Sequence, residues 1–133
     1  MGYTNYYAIK AHENNSFPIE FVNGVRLIVA NSPCKIVGWD NEDLESKAEI
    51  TEKRIALNGA GNEGYESFIM KPSGTNFPFC KTAREPYDVV VKAILLFAER
   101  KFSILQEKFS FDGNRNEKEF RRAVALLKKL KLY

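Results

Sequence analysis

REPYDVVVKAILLFAERKF, residues 84–102, is the stretch on which the fold turns. Pro86 suits the opening turn of a helix because its fixed φ is already helical, and Asp88 just behind it would complement the positive end of the helix dipole. From Val89 to Ala98 nine of ten residues are apolar and only Lys92 interrupts them. A helix apolar on every side must be enclosed, so the segment predicts a buried helix packed across a sheet. The chain has 133 residues, 44% hydrophobic and 28% charged, enough for one core and too balanced for a disordered segment. The expected class is therefore α+β: one compact domain over residues 1–133, with an antiparallel or mixed sheet packed by about three helices.

Strand chemistry lies on either side of that helix. Tyr3 to Lys10, YTNYYAIK, is rich in aromatic residues and reads as a first strand. Lys53–Leu57 and Tyr65–Met70 are further strands around NGAGNEG, whose glycines and asparagines make it the strongest turn signal in the chain. Pro72, Ser73 and Gly74 turn the chain before a strand at Asn76–Phe79. Cys34–Trp39 and Lys108–Phe111 are short strands, DNEDLESKAE is an exposed acidic loop, and the middle of the chain predicts an antiparallel meander. Two readings of residues 18–30 stand side by side. Phe21, Val25 and Ile28 share a helical face that Ser16 would cap, whereas Asn23-Gly24 with Val25, Leu27 and Val29 alternating after it is the signature of a hairpin. Glu117–Leu130 is a last amphipathic helix with Phe120, Ala123, Val124, Leu127 and Leu130 on its apolar arc.

The net charge of +3 is unevenly spread. Arg115–Lys131 holds seven basic residues against two acidic ones, a local +5 that leaves −2 for the rest. The main reading of that face is a solvated helix surface; binding of nucleic acid or of a membrane surface is weakly supported, and no helix-turn-helix, zinc-finger or RNP pattern accompanies it. Neither an export signal nor a membrane-spanning run is present, so the expected location is the cytoplasm. Cys34 and Cys80 are isolated and form no CxxC pair, which predicts reduced thiols, with a single disulfide as the lesser reading. One histidine, His12, leaves no multi-histidine metal site, and no cofactor or metal is expected.

Candidate site residues come from four groups. Lys81, Thr82 and Arg84 arrive just before the buried helix, where they could converge with free backbone amides on a phosphate or carboxylate. Asn58, Glu63 and Glu66 lie around the glycine-rich turn; Glu66, Asp88 and Asp112 are the weak catalytic candidates, the last two as an acid/base pair. Cys80 beside Lys81 is read first as a small buried residue and only secondarily as a nucleophile. Tyr3, Tyr6, Tyr7 and Trp39 could stack on a planar ligand whose edge Asn5 would read. Together these describe a nucleotide-sized pocket bounded by Asn5, Tyr7, Asn58, Glu66, Lys81, Thr82 and Arg84.

GYTNYY at residues 2–7, LNGAGNEGYESF at 57–68 and FCKTAREPYDVVV at 79–91 resemble a family of small bacteriophage and bacterial proteins that begin with a GYTHYW-like motif. Asn5 stands where that family has His and Tyr7 where it has Trp. The resemblance implies a compact α+β domain, a helix over residues 18–30, and a viral or mobile-element role in a host cytoplasm; it carries no activity with it. Three functional classes stand as expectations. The first is non-enzymatic binding of a small phosphate-bearing or nucleotide ligand, in phage–host conflict. The alternatives are a small metal-assisted hydrolase or nuclease and a protein or nucleic-acid interaction module, with self-association into a homo-oligomer also open.

Overall fold

The computed structural model describes residues 3–74 and 78–133. Strands β1 (Thr4–Tyr6), β2 (Ile36–Val37), β3 (Glu49–Ile50), β4 (Ile55–Gly59), β5 (Phe68–Met70), β6 (Phe79–Lys81) and β7 (Ser110–Phe111) combine with helices α1 (Ile19–Ala30), α2 (Asp88–Lys101) and α3 (Lys118–Lys129). This is a single compact α+β domain with three helices and antiparallel sheets. As the apolar run requires, every residue from Asp88 to Ala98 is buried, and α2 packs against both α1 and α3. Tyr7, Ile55, Leu57 and Phe68 close the same core from the strands.

The strands form two sheets. β1 lies between β6 and β7, antiparallel to both, with Asn5 opposite Cys80 on one side and Phe111 on the other. β4 pairs with β3 and β5 at Ile55–Ala56 and with β2 at Asn58–Gly59, so β3, β4 and β5 make the expected meander. The sheets meet where the Glu66 amide donates to the Lys81 carbonyl (3.1 Å) and the Glu66 carboxylate accepts from the Lys81 amide (2.7 Å). Asn76 and Phe77 of the expected strand lie outside the described residues; the pairing observed begins at Phe79. The short strand β3 replaces the end of the expected acidic loop, because Glu49 also holds the Arg54 guanidinium across the β3–β4 turn (2.8 Å to Nε).

Residues 19–30 are helical, which settles the two readings of Asn23-Gly24. The glycine is buried in the helix rather than in a turn, and a methyl group added to it would collide with the Phe97 ring of α2. Gly24 is therefore a close-approach residue. Ser16 does not cap this helix: its hydroxyl bonds the Asn14 carbonyl and accepts from Lys53, while Pro18 occupies the cap position without a side-chain bond. Phe97 cannot easily swing away, since it is stacked on Phe21 at 5.7 Å and edge-on to Phe102 at 5.1 Å. Gly24→Ala is accordingly expected to lower stability by about 1–3 kcal/mol through overpacking, despite the roughly 1 kcal/mol by which alanine favours an isolated helix. Asn23→Ala, one residue away and exposed, is the control expected to leave the urea midpoint unchanged or raised. Equal midpoints for the two variants would remove the close-approach role.

Candidate functional site

The strand period sets the site. Tyr3, Asn5 and Tyr7 point to the interior while Tyr6 points out, because alternate residues of a strand face opposite sides. Asn5 thereby meets the first turn of α2. Its amide donates to Asp88 Oδ1 (2.8 Å), its carbonyl oxygen accepts from Lys92 Nζ (2.9 Å), and Lys92 Nζ also donates to Asp88 Oδ2 (2.7 Å). Thr82 donates its hydroxyl to Asp88 Oδ1 at 2.6 Å. Asn5, Thr82, Asp88 and Lys92 are each 0% exposed. The ammonium also lies over the Tyr3 and Phe111 rings at 4.3 and 4.4 Å. Burial drives the Lys92 ammonium below its ordinary range, and the Asp88 carboxylate partly opposes that shift. Each of the four side chains is hydrogen-bonded to at least one of the others, so the cluster is a buried joint between β1, the 82–85 turn and α2.

The chain between β6 and α2 is held in an uncommon conformation. The Tyr3 carbonyl accepts the amides of both Thr82 (3.0 Å) and Ala83 (3.1 Å), and the Glu85 amide closes a turn on the Thr82 carbonyl (3.0 Å). Its two central residues, Ala83 and Arg84, have φ of 53° and 58°. That pattern belongs to a type I′ turn, where glycine or asparagine is the usual occupant, and each residue costs of order 1 kcal/mol in this region. The conformation directs Arg84 outward across the Tyr3 ring, 4.1 Å from its centroid, with loose contacts to Glu117 (3.4 Å) and Glu119 (3.3 Å). Tyr3 in turn donates its hydroxyl to Glu117 at 2.8 Å. Burial raises the Glu117 carboxyl, but the Tyr3 hydroxyl and the Arg84 guanidinium outweigh it and leave the group below its ordinary value.

Arg84 forms one wall of a cleft of about 600 Å³ between this turn, the end of α1 and α3. Arg122 faces into the same cleft; Pro33, Pro86, Val89 and Leu126 supply apolar lining, and Glu63, Glu85 and Glu119 supply carboxylates.

Of the seven expected ligand-binding residues, only Arg84 lines this cleft. Asn5 and Thr82 belong to the buried joint, and Tyr7 is 5% exposed with its hydroxyl on the Ile69 carbonyl. Asn58 is 1% exposed and spends its side chain on the Gly59 and Tyr65 amides and the Tyr65 carbonyl. All four are enclosed and hydrogen-bonded within the fold, and none of them lines the cleft. Lys81 leans over the Tyr65 ring at 5.9 Å, away from the Arg84 cleft lining, and Glu66 is occupied in the seam between the sheets. Lys81 does not join Arg84 in the cleft lining, and the Thr82, Ala83, Glu85 and Asp88 amides have backbone partners.

The acid/base pair is not assembled. Asp88 is enclosed, whereas Asp112 sits at the surface and accepts from the Thr4 amide and the Tyr6 hydroxyl. Among the described residues no group of three His, Cys, Asp or Glu side chains could hold a metal ion. Both cysteines are free; Cys80 is buried and its thiol is pushed up to about 12, chiefly by burial, which leaves it protonated and unreactive at neutral pH. Tyr3 and Tyr7 are interior while Tyr6 and Trp39 are exposed, so the four aromatic residues do not form one stacking surface.

Lys92, Arg122 and Glu119 were not among the expected site residues. A lone lysine inside an apolar run, four residues after an aspartate, is the signal that could have identified the buried pair. Arg122 and Glu119 carry no such mark, since only the packing of α3 beside the turn brings them to the cleft. No described helix is long and apolar enough to cross a membrane. Comparison with protein-family models, curated proteins and solved structures finds no match for this chain.

Proposed function

We propose that the cleft beside the 82–85 turn binds a small phosphate-bearing ligand of nucleotide size and does not transform it. The observation that carries this reading is Arg84, held outward by two consecutive left-handed residues at the wall of a 600 Å³ cleft, resting on the Tyr3 ring and joined to Glu117 and Glu119 by long ion pairs. Strained backbone persists where the surroundings enforce it, and here it presents a guanidinium whose fork matches a phosphate. Arg122 offers a second cation on the same cleft, Val89, Leu126 and the two prolines suit the face of a base, and Glu63 and Glu85 can accept from its amino group or from sugar hydroxyls. Binding without turnover is favoured because the candidate catalytic carboxylates are engaged elsewhere, Asp88 in the core and Glu66 in the sheet seam.

Arg84→Ala is expected to weaken such a ligand roughly 10- to 100-fold, the loss of a charge-assisted pair of hydrogen bonds. The same variant should cost less than about 1 kcal/mol of stability, because its ion pairs are surface pairs. Native and denaturing mass spectrometry of the purified protein would reveal a retained, chemically intact ligand, and thermal shifts with nucleotides and inorganic phosphate would supply the affinities. Absence of a retained mass together with no shift from any phosphate compound, or a shift that Arg84→Ala leaves unchanged, would overturn the reading.

A further inference from the structure

We propose a second surface, adjoining the cleft at Arg122: the outward face of α3 docks the phosphate backbone of double-stranded nucleic acid. Phe120, Ala123 and Leu127 commit one side of this helix to the core. At 100° per residue, Lys118, Arg121, Arg122, Lys128 and Lys129 fall within an arc of about 120° on the opposite side, and all five are exposed. They form two rows, Lys118–Arg122–Lys129 and Arg121–Lys128, with the small exposed residue Ala125 between them. The rows span about 16 Å along the axis. Among the described residues none of the five makes an ion pair, since the pairs present are those of Arg54, Arg84, Lys92 and Arg115. The acidic residue of the helix, Glu119, turns toward the cleft and Arg84 instead.

Five unneutralised cations on one arc repel each other, notably Lys118 and Arg122 one turn apart, and a polyanion relieves that repulsion. A duplex presents one negative charge per about 1.7 Å of axis, a density that two parallel rows of cations complement. The arc distinguishes this partner from others. It carries no large apolar residue to enter a lipid interface, since the apolar side of α3 is already packed against the core. The helix itself adds no aromatic side chain to the arc, and the Tyr133 ring beside Lys128 is half-buried and already covered by Arg100 at 3.8 Å, which leaves no open face on which single-stranded bases could stack. The contacts would be to phosphates alone, so binding is expected to be independent of sequence.

The test is fluorescence anisotropy of a labelled 20-base-pair duplex of arbitrary sequence with the full chain, from about 50 to 200 mM salt. Five phosphate contacts give a slope of log affinity against log salt near −4.5, or about 500-fold weaker binding across that range. Arg121→Gln/Lys128→Gln, both outside the cleft lining, should reduce the slope by about two. The melting temperature and any nucleotide-induced shift from the cleft should stay unchanged, so that this proposal and the cleft reading fail independently. Lys118→Gln/Lys129→Gln serves as the second variant if the first does not fold. Absence of binding at the lowest salt overturns the proposal, as does a slope that neither double variant alters. Tighter binding to a single-stranded oligonucleotide or to phosphatidylserine vesicles overturns the duplex as partner.

Discussion

Asp88→Ala is expected to destabilise the domain by about 3–5 kcal/mol, lowering the melting temperature by roughly 10–20 °C. The substitution does not merely delete three hydrogen bonds. It leaves the Lys92 ammonium with 0% exposure and only the Asn5 carbonyl oxygen and two aromatic faces for company. An ammonium enclosed without its counter-ion either carries the desolvation cost or loses its proton, and both outcomes weaken the fold at neutral pH. Adding Lys92→Met to Asp88→Ala should recover part of the loss, because the remaining unsatisfied groups, the Asn5 amide and the Thr82 hydroxyl, are neutral. Urea unfolding followed by circular dichroism measures both variants. A loss under about 1 kcal/mol for the single variant, or a double variant less stable than the single, would contradict the account of a mutually satisfied buried pair.

Alkaline solution is expected to unfold the protein more sharply than its modest charge suggests, with stability declining from about pH 9 upward. The sign follows from which state holds more protons. Cys80, pushed up to about 12, keeps its proton in the folded state after the unfolded thiol has lost it, so stability falls from about pH 9 upward. Burial also raises the Tyr3, Tyr7 and Tyr87 hydroxyls, the coulombic effect of Cys80 adding to it for Tyr7 and Tyr87 and a bond to Glu117 for Tyr3; these groups join the decline above about pH 10. Each group contributes a slope near 1.4 kcal/mol per pH unit inside its window. Lys92 acts in the opposite direction. Its folded value lies below the ordinary one, so the unfolded chain holds the extra proton and stability from this group rises with pH up to about 10.4. Urea midpoints at pH 8, 10 and 11 would reveal the net decline, and Cys80→Ala should remove close to one proton's worth of slope between pH 9 and 10. An unchanged slope in that variant would exclude Cys80 as its source.

Periodicity made α2 and α3 legible in the sequence. A ten-residue apolar run has few places to go except the centre of a domain, and the charged arc of the last helix marked its solvent side. The glycine-rich turn was legible for a related reason. A side-chain carbon added to Gly59 or Gly64 would strike the backbone opposite, so the residue types there report the close packing of the turn itself. Asn23-Gly24 misled because the same dipeptide serves two purposes, permitting positive φ in a turn and permitting contact between helices. Local composition cannot separate them; Phe97 does, and it lies seventy-three positions away in the chain.

The candidate site was legible in part. FCKTAREPYD stood out correctly as a segment with unusual duties, but its polar residues divide between inside and outside according to a turn whose handedness the sequence conceals. Ala83 and Arg84 are poor advertisements for a left-handed turn, so Thr82 was expected at the surface beside Arg84 when it faces the core. Asn5 and Tyr7 were read as ligand contacts because aromatic and amide groups in a strand suit a pocket. Alternation along β1 instead sends Tyr3, Asn5 and Tyr7 inward together.

The placement of β1 sets an order on synthesis. It is the middle strand of its sheet and is made before both of its partners, Phe79–Lys81 and Ser110–Phe111. At ribosomal speeds of about 5–20 residues per second, the first partner follows after about 4–15 s and the second after about 5–20 s. Until residues 82–88 are made, Asn5 has no Asp88 to bond and the Tyr3 carbonyl has no amides to accept. The nascent chain carries an unpaired, aromatic-rich strand at residues 3–7 until both neighbours are made.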